Sequence, residues 1–364
     1  MAWKFWRKSQ PVRSSGAAES AAPGLAAEDY EKLRLIMEIV TPDSQPNINH
    51  LGEVVRNIRL LNLNIKSLGY DLARQLAAAL PPRDNTTARH VGLQTSLSIQ
   101  TDLESDWAAH WSAELKVPVV FHRKLWELSY VLQAMYENAC MVPGKRGLGF
   151  GSGSEPLSSY LASLGVASTV TDLPIEDAQG RGWIETNQHA SGLQNAFHPG
   201  LVSREAFDRL VDFRAVDMNA IPADLTGYDF CWSVCALEHL GTIQNGLDFI
   251  ENALDTLKPG GMAVHTTEFN IEPDGPTVDN WPSVLFQRKH IEALAERLEA
   301  QGHKVAPLNF DPGSEVLDRF IDLPPFGDAA QKALGAWTDG GVHLKVGVDG
   351  FIATCIGITI TKAG

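Results

Sequence analysis

Residues 146–172 read RGLGFGSGSEPLSSYLASLGVASTVTD. A short apolar run enters the turn Gly149-Phe150-Gly151-Ser152-Gly153, a helical segment follows, and a second apolar run ends on Asp172. Strand, glycine loop, helix, strand and terminal carboxylate in that order make half of a nucleotide-binding crevice in an open α/β sheet. Glycines in the turn let the backbone bend sharply and approach a ligand closely. A carboxylate at the tip of the second strand can take both hydroxyls of a ribose. The competing reading is a tight strand-to-helix turn that holds nothing.

The glycine spacing narrows the ligand. A dinucleotide fingerprint runs G-x-G-x-x-G/A. After Gly149 and Gly151 its last position falls on Ser154, and after Gly147 and Gly149 on Ser152. The loop is instead G-x-G-x-G, which favours a cofactor with no pyrophosphate to seat on a helix N-terminus. S-adenosylmethionine (SAM), an adenosine joined to a sulfonium and an amino acid, meets that condition. No G-K-[ST] follows, so a P-loop is excluded.

Further strand endings follow downstream. VDFRAVDMNAIP (211–222) reads as a strand ending at Asp217-Met218, and YDFCWSVCALEHL (228–240) as a strand running into a loop and a helix start. ALDTLKPGGMAVHTTEFN (253–270) reads as a helix, a Lys258-Pro259-Gly260-Gly261 stop and another strand. Strands alternating with helices predict a parallel sheet with crossovers. Gly149–Gly153, Asp172, Asp217 and Ser233–His239 all fall at the strand ends where such sheets bind ligands.

With those motifs in that order, residues 146–270 resemble the core of class I SAM-dependent methyltransferases, and the likeness runs on through 361. WSVCALEHLG and AVHTTEFN resemble a bacterial subgroup associated with glycan or surface-polysaccharide clusters. The resemblance implies a Rossmann-like seven-stranded α/β sheet, mostly parallel with an antiparallel last strand, carried by residues 116–364. GHKVAPLNF and DGFIATCIGITITK would be its last two strands. It implies that Gly149, Phe150, Gly151 and Gly153 line the methionine and ribose and that Asp172, with Leu173, holds the ribose hydroxyls. Asp217 would accept from the adenine amine, Met218 would pack on the ring, and Ser233 would pass beneath the sulfonium. One position departs from the pattern: the family's acid two residues before the first loop glycine is Gly147 here, with Glu155 as a partial substitute. A helix within 106–140, carrying His122 and Arg123, would lie over the methionine end.

Methyl transfer to a hydroxyl needs alignment and a base. His239, just past the fourth core strand, and His265 and Glu268, at the end of the fifth, are the candidates. A histidine with a near-neutral pKa suits deprotonation of an alcohol. The plainer readings are a helix-start residue bonded to backbone for His239 and a buried strand histidine for His265. Cys235-Ala236-Leu237-Glu238-His239 supplies only part of a ligand set for a hard cation, which prefers oxygen, so no metal is expected. The long links 173–210 and 271–290 are expected to shape the acceptor site. The acceptor expected is a small molecule or a glycan-linked hydroxyl. The alternatives are an N-methyltransferase, an inactive methyltransferase-like scaffold and an NAD-dependent oxidoreductase.

The formal net charge of −14 across 364 residues argues against nucleic acid as a main partner. Cys140, Cys231, Cys235 and Cys355 form no CxxC and read as thiols in a reducing compartment. No stretch reads as a transmembrane helix or signal peptide, so the cytoplasm is expected. Residues 1–28 read as a basic, aromatic tail and linker, with weak membrane-surface contact conceivable for 1–13. Residues 29–115 read as a helical region. Within 48–80, Leu51, Val54, Ile58, Leu61, Ile65, Leu68 and Leu72 make a heptad seam, open either to self-association or to docking on the catalytic domain.

Overall fold

A computed structural model describes residues 32, 34, 38–40, 43, 45–81, 86–153, 155–173, 193–326 and 342–364. The contacts divide the chain into two units, 1–61 and 62–364. Among the described residues no helix is long and apolar enough to cross a membrane.

Helix α1 spans Ile48–Ala79 and so begins in the first unit and ends in the second. Asn47 starts it: its Oδ1 accepts from the His50 N–H at 3.2 Å, satisfying one of the helix's unpaired donors. Within the second unit the last turns of α1 bury Lys66, Gly69, Tyr70 and Ala73. A Cβ on Gly69 would meet the Phe320 ring at 2.4 Å, so this mid-helix glycine is the site of a close aromatic approach. The heptad positions Ile65 and Leu68 face the other way and are exposed, as are Val54, Ile58 and Leu61 in the first unit.

The second unit is built on one sheet. Its strands are β1 (Thr95–Leu97), β2 (Arg146–Phe150), β3 (Ala167–Asp172), β4 (Val211–Ala215), β5 (Tyr228–Val234) and β6 (Leu257–Asn270), then the short β7 (Lys304–Val305), β8 (Leu308–Asn309), β9 (Ile321–Asp322) and β10 (Lys345–Val348), and finally β11 (Phe351–Thr361). The spatial order is β4-β3-β2-β5-β6-β11-β1-β8. Strands β4, β3, β2, β5 and β6 are parallel neighbours. Strand β11 runs antiparallel to β6, with Cys355 opposite Glu268. The expected mostly parallel α/β sheet with an antiparallel last strand is therefore present, and the order reverses between β2 and β5. That reversal is the switch point where open α/β sheets hold ligands.

Besides a single turn at Gln100–Leu103, the helices among the described residues are α2 (Asp106–Glu114), α3 (Arg123–Glu137), α4 (Leu157–Ser163), α5 (Arg204–Leu210), α6 (Ile243–Ala253) and α7 (Arg288–Ala300). Ser105, Ser203 and Thr242 cap α2, α5 and α6 by accepting a backbone N–H of the first turn.

The sheet edge differs from the simple hairpin expected for GHKVAPLNF. Only β7 pairs with β11 there. Strand β1 then lies against β11, with Ser96 opposite Gly357, and β8 pairs with β1 instead. Pro307, between β7 and β8, has no N–H to continue a ladder, and its carbonyl accepts from Thr95 N at 3.0 Å.

A buried polar knot ties α1 to this edge. Asp322 accepts from Lys66 Nζ at 2.5 Å and Tyr70 Oη at 2.6 Å, and lies 2.8 Å from His343 Nδ1. These donors hold the Asp322 carboxyl below the usual range despite its burial. Removing one member of such a group strands a buried charge, which costs about 3–5 kcal/mol. Asp322→Asn is expected to lower the unfolding free energy read from urea titration by that amount. A free energy within about 0.5 kcal/mol of wild type, a rough bound for innocuous surface changes, would show that the knot contributes nothing.

Candidate functional site

A cavity of about 530 Å³ opens at the carboxyl ends of β2, β3, β5 and β6. Gly151 and Gly153 form one rim, and Gly151 takes φ +55°, a left-handed conformation suited to glycine. A Cβ on Gly151 would also meet Ala236 Cβ at 2.8 Å, so the loop passes close against the turn after β5. Asp172 and Leu173, at the end of β3, and Asp217 and Met218, just beyond β4, line the same wall. Asp172 is 5% exposed, and its Oδ1 accepts from Leu173 N at 2.8 Å. Asp217 Oδ1 is oriented by Asn219 N at 2.9 Å.

The first turn of α3 forms the roof. Its cap is His122, whose Nδ1 accepts from Lys124 N at 3.0 Å. Arg123 and Lys124 thereby face the cavity, whereas His122 is turned away against His343. Arg123 pairs with Glu268 Oε1. Lys124 Nζ lies 3.4 Å from the buried Glu127. Glu155 also lines the cavity. Burial pushes its carboxyl up to about 8, against the opposing pull of Lys124 and Trp232. Its Oε2 is buried without a hydrogen-bond partner.

The floor is the turn after β5. Cys235, at φ +45°, donates its N–H to Thr266 O at 2.9 Å. Its Sγ lies 3.6 Å from Cys355 Sγ, and burial raises both thiols above their ordinary range. Glu238 is 1% exposed and accepts from Thr267 Oγ1 at 3.0 Å. His239 Nδ1 lies 2.9 Å from the Pro282 carbonyl, which can only accept. The proton is therefore on Nδ1, and Nε2 carries the lone pair.

Of the residues singled out in the sequence, Gly151, Gly153, Asp172, Leu173, Asp217, Met218, His239 and Glu268 come together on this cavity. Gly149, Phe150, Ser233 and His265 lie behind it. Phe150 packs edge-on against Phe249. Ser233 Oγ and His265 Nδ1 are 2.8 Å apart, both fully buried. Burial holds His265 down to about 3, so it is neutral at ordinary pH. Lys124, Leu285 and Val348 join the cavity from α3, the 271–290 segment and the end of β10. Ser154, Trp183 and His189 lie outside the described residues.

The missing acid at Gly147 has a steric cause. A Cβ there would stand 2.5 Å from the Phe230 ring and 2.9 Å from the Trp232 ring, and one on Gly149 would stand 2.4 Å from Trp232. Two aromatic side chains of β5 fill the space above β2.

No family model matches the chain, and no curated protein does. Solved structures resemble it at low identity. Phosphoethanolamine N-methyltransferase 2 of Haemonchus contortus, in complex with S-adenosyl-L-methionine, is 14% identical at TM-score 0.39, over 71% of this chain and 57% of that one. A sarcosine dimethylglycine methyltransferase of Galdieria sulphuraria, described as putative, is 14% identical at TM-score 0.38, over 71% and 99%. The [4+2]-cyclase SpnF is 15% identical at TM-score 0.40, over 74% and 99%. The chain spans little more than half the length of some of these neighbours, 54% for the CurJ carbon methyltransferase.

Restoring an acid at 147 tests the steric account. Gly147→Asp is expected to destabilise the fold by about 1–3 kcal/mol, the usual penalty of overpacking, without strengthening ligand binding. A variant as stable as wild type in thermal unfolding would overturn it.

Proposed function

We propose that this chain is a class I methyltransferase that moves a methyl group from SAM to a hydroxyl oxygen of a small or glycan-linked acceptor in the cytoplasm. One observation carries the reading. Two carboxylates on successive strand ends, Asp172 and Asp217, flank a glycine turn in a single cavity at the switch point. An adenosine asks for that set: one carboxylate for the ribose diol, one acceptor for the adenine amine, and the apolar wall that Met218 and Leu173 supply. The volume lies within the range of about 300–1,000 Å³ common for small-molecule sites. Lys124 offers a cation, and Glu155 a carboxyl that an arriving ammonium would ionise, for an amino-acid end.

Transfer is an in-line displacement. The acceptor oxygen forms a bond to the methyl carbon, the carbon–sulfur bond breaks, and the sulfur keeps the electron pair as S-adenosylhomocysteine. The acceptor's proton leaves to a base. His239 is the base we favour, because it lines the cavity and its Nδ1 is anchored on the Pro282 carbonyl. Glu268 stands at the same end, engaged with Arg123.

We also propose that the exposed seam Ile58, Leu61, Ile65 and Leu68 pairs two copies of the chain, and that residues 1–13 make weak membrane-surface contact. Light scattering on the full chain is expected to give a dimer mass, and Ile58→Lys/Ile65→Lys a monomer. A monomeric wild type would sink the pairing. Co-sedimentation with anionic vesicles, lost on removing residues 1–13, is the test of membrane contact.

The functional test is calorimetry with SAM, S-adenosylhomocysteine and NAD. Micromolar or tighter binding of the first two is expected, with none for NAD. Asp172→Ala is expected to weaken it about 10- to 150-fold, the worth of charged hydrogen bonds. His239→Ala is expected to spare binding and to lower kcat by about 10²–10⁴ once an acceptor is found. Binding of neither ligand would sink the reading, and binding without turnover would favour the inactive scaffold.

A further inference from the structure

The acceptor end of the cavity holds more ligand chemistry than a base requires. Cys235 Sγ and one oxygen each from Glu238 and Glu268 lie within 4.8 Å of one another. Donors on one metal ion stand about 3–4 Å apart at ordinary bond lengths, so small side-chain rotations close the set. His239 Nε2 lies 4.0 Å from Glu238 Oε1.

Each carboxylate, and the histidine, is held by its other atom. Thr267 Oγ1 donates to Glu238 Oε2 at 3.0 Å, Arg123 takes Glu268 Oε1, and Pro282 O takes His239 Nδ1. Groups that orient a ligand through its far atom are the usual surround of a metal. Glu268 is 8% exposed, and its Oε2 is buried with no hydrogen-bond partner. A buried carboxylate oxygen left in that condition is costly unless something cationic occupies the site. Burial and the neighbouring Glu268 raise the Glu238 carboxyl, against the pull of His239. The two acids share a space that has one guanidinium bonded to it.

We propose that Cys235, Glu238 and Glu268 form a divalent-metal site for a borderline ion such as Zn²⁺ on the acceptor side of the cavity, with an acceptor or solvent oxygen as the fourth donor and His239 left as the base. One thiolate and two carboxylates suit such an ion better than Mg²⁺ or Ca²⁺, which take all-oxygen shells. The deeper trio Glu127, Cys235 and Cys355 is a poorer site. Both Glu127 oxygens are engaged there, Oε1 by Cys355 Sγ at 3.1 Å and Oε2 by Thr266 Oγ1 at 3.0 Å. Binding displaces the Cys235 thiol proton, so affinity rises with pH. The ion's role rests on the methyltransferase reading: it would lower the pKa of a coordinated acceptor hydroxyl. Its binding does not rest on that reading.

The experiment uses the full chain, stripped with a chelator and titrated with Zn²⁺ by calorimetry and with Co²⁺ by absorbance. One equivalent of each is expected to bind, Co²⁺ adding a thiolate charge-transfer band in the near ultraviolet. Cys235→Ser removes the band. Glu268→Gln and Glu238→Gln each weaken binding at least about tenfold, and Cys355→Ser keeps both band and affinity. Thermal unfolding of the metal-free proteins checks that they fold, and the two Gln variants back each other up. Absence of stoichiometric binding overturns the proposal, as does a Co²⁺ complex without the band. Loss in Cys355→Ser with retention in Glu268→Gln would move the ion to the deeper trio and overturn it too. SAM binding through Asp172 is read separately and survives any of these failures.

Discussion

The aromatic pair on β5 sets the geometry of everything around it. Phe230 and Trp232 stack with centroids 6.0 Å apart and are fully buried against the bare backbone of β2. They fit because β2 has no side chain at 147 or 149. That contact lies where the strand order turns back, between the β2–β3–β4 half and the β5–β6 half. One packing choice thus explains why no acid fits at 147. With Trp232 in place, the carboxyl nearest the loop is instead Glu155, just ahead of the following helix.

How legible this was in the sequence depended on range. The parallel sheet could be read because each strand ends in a local signal: glycines after β2, Asp172 on β3, Asp217-Met218 after β4 and Ala236–His239 after β5. Position along a strand then decides which way a residue points, and local sequence decides that poorly. Glu268 reaches the cavity, while His265, three residues earlier on the same strand, is sealed in the core with Ser233. Gly69 shows the same limit. Read locally it is a weak point in a helix, but in the fold it is where Phe320 arrives from 251 residues away in the chain.

The parts that escaped sequence reasoning are those supplied by tertiary contact alone. Nothing local marks Lys124 as a cavity residue; it faces inward because His122 caps α3 and fixes the first turn. Val348 arrives at the end of β10, paired with Phe351 of the antiparallel β11. The insertion of β1 between β11 and β8 was hidden for the same reason. Three residues carry no periodicity to read, and their place is set by an edge that Pro307 leaves open.

The two ends of the cavity differ in how they carry charge, and that difference orders the chemistry. At the loop end, burial holds Glu155 up to about 8, so its carboxyl is largely neutral in the ligand-free protein near pH 7. An ammonium group arriving beside it would pull that value down and turn a neutral contact into an ion pair. The loop end is therefore responsive, gaining attraction as it fills. At the acceptor end Glu238, Glu268 and Cys235 stand close together with Arg123 as the bonded cation. The two carboxylates crowd one another before anything binds, and Thr267 and Pro282 anchor Glu238 and His239. A site held rigid against its own repulsion selects for a positive guest. A cation bound there would relieve the crowding of the two carboxylates.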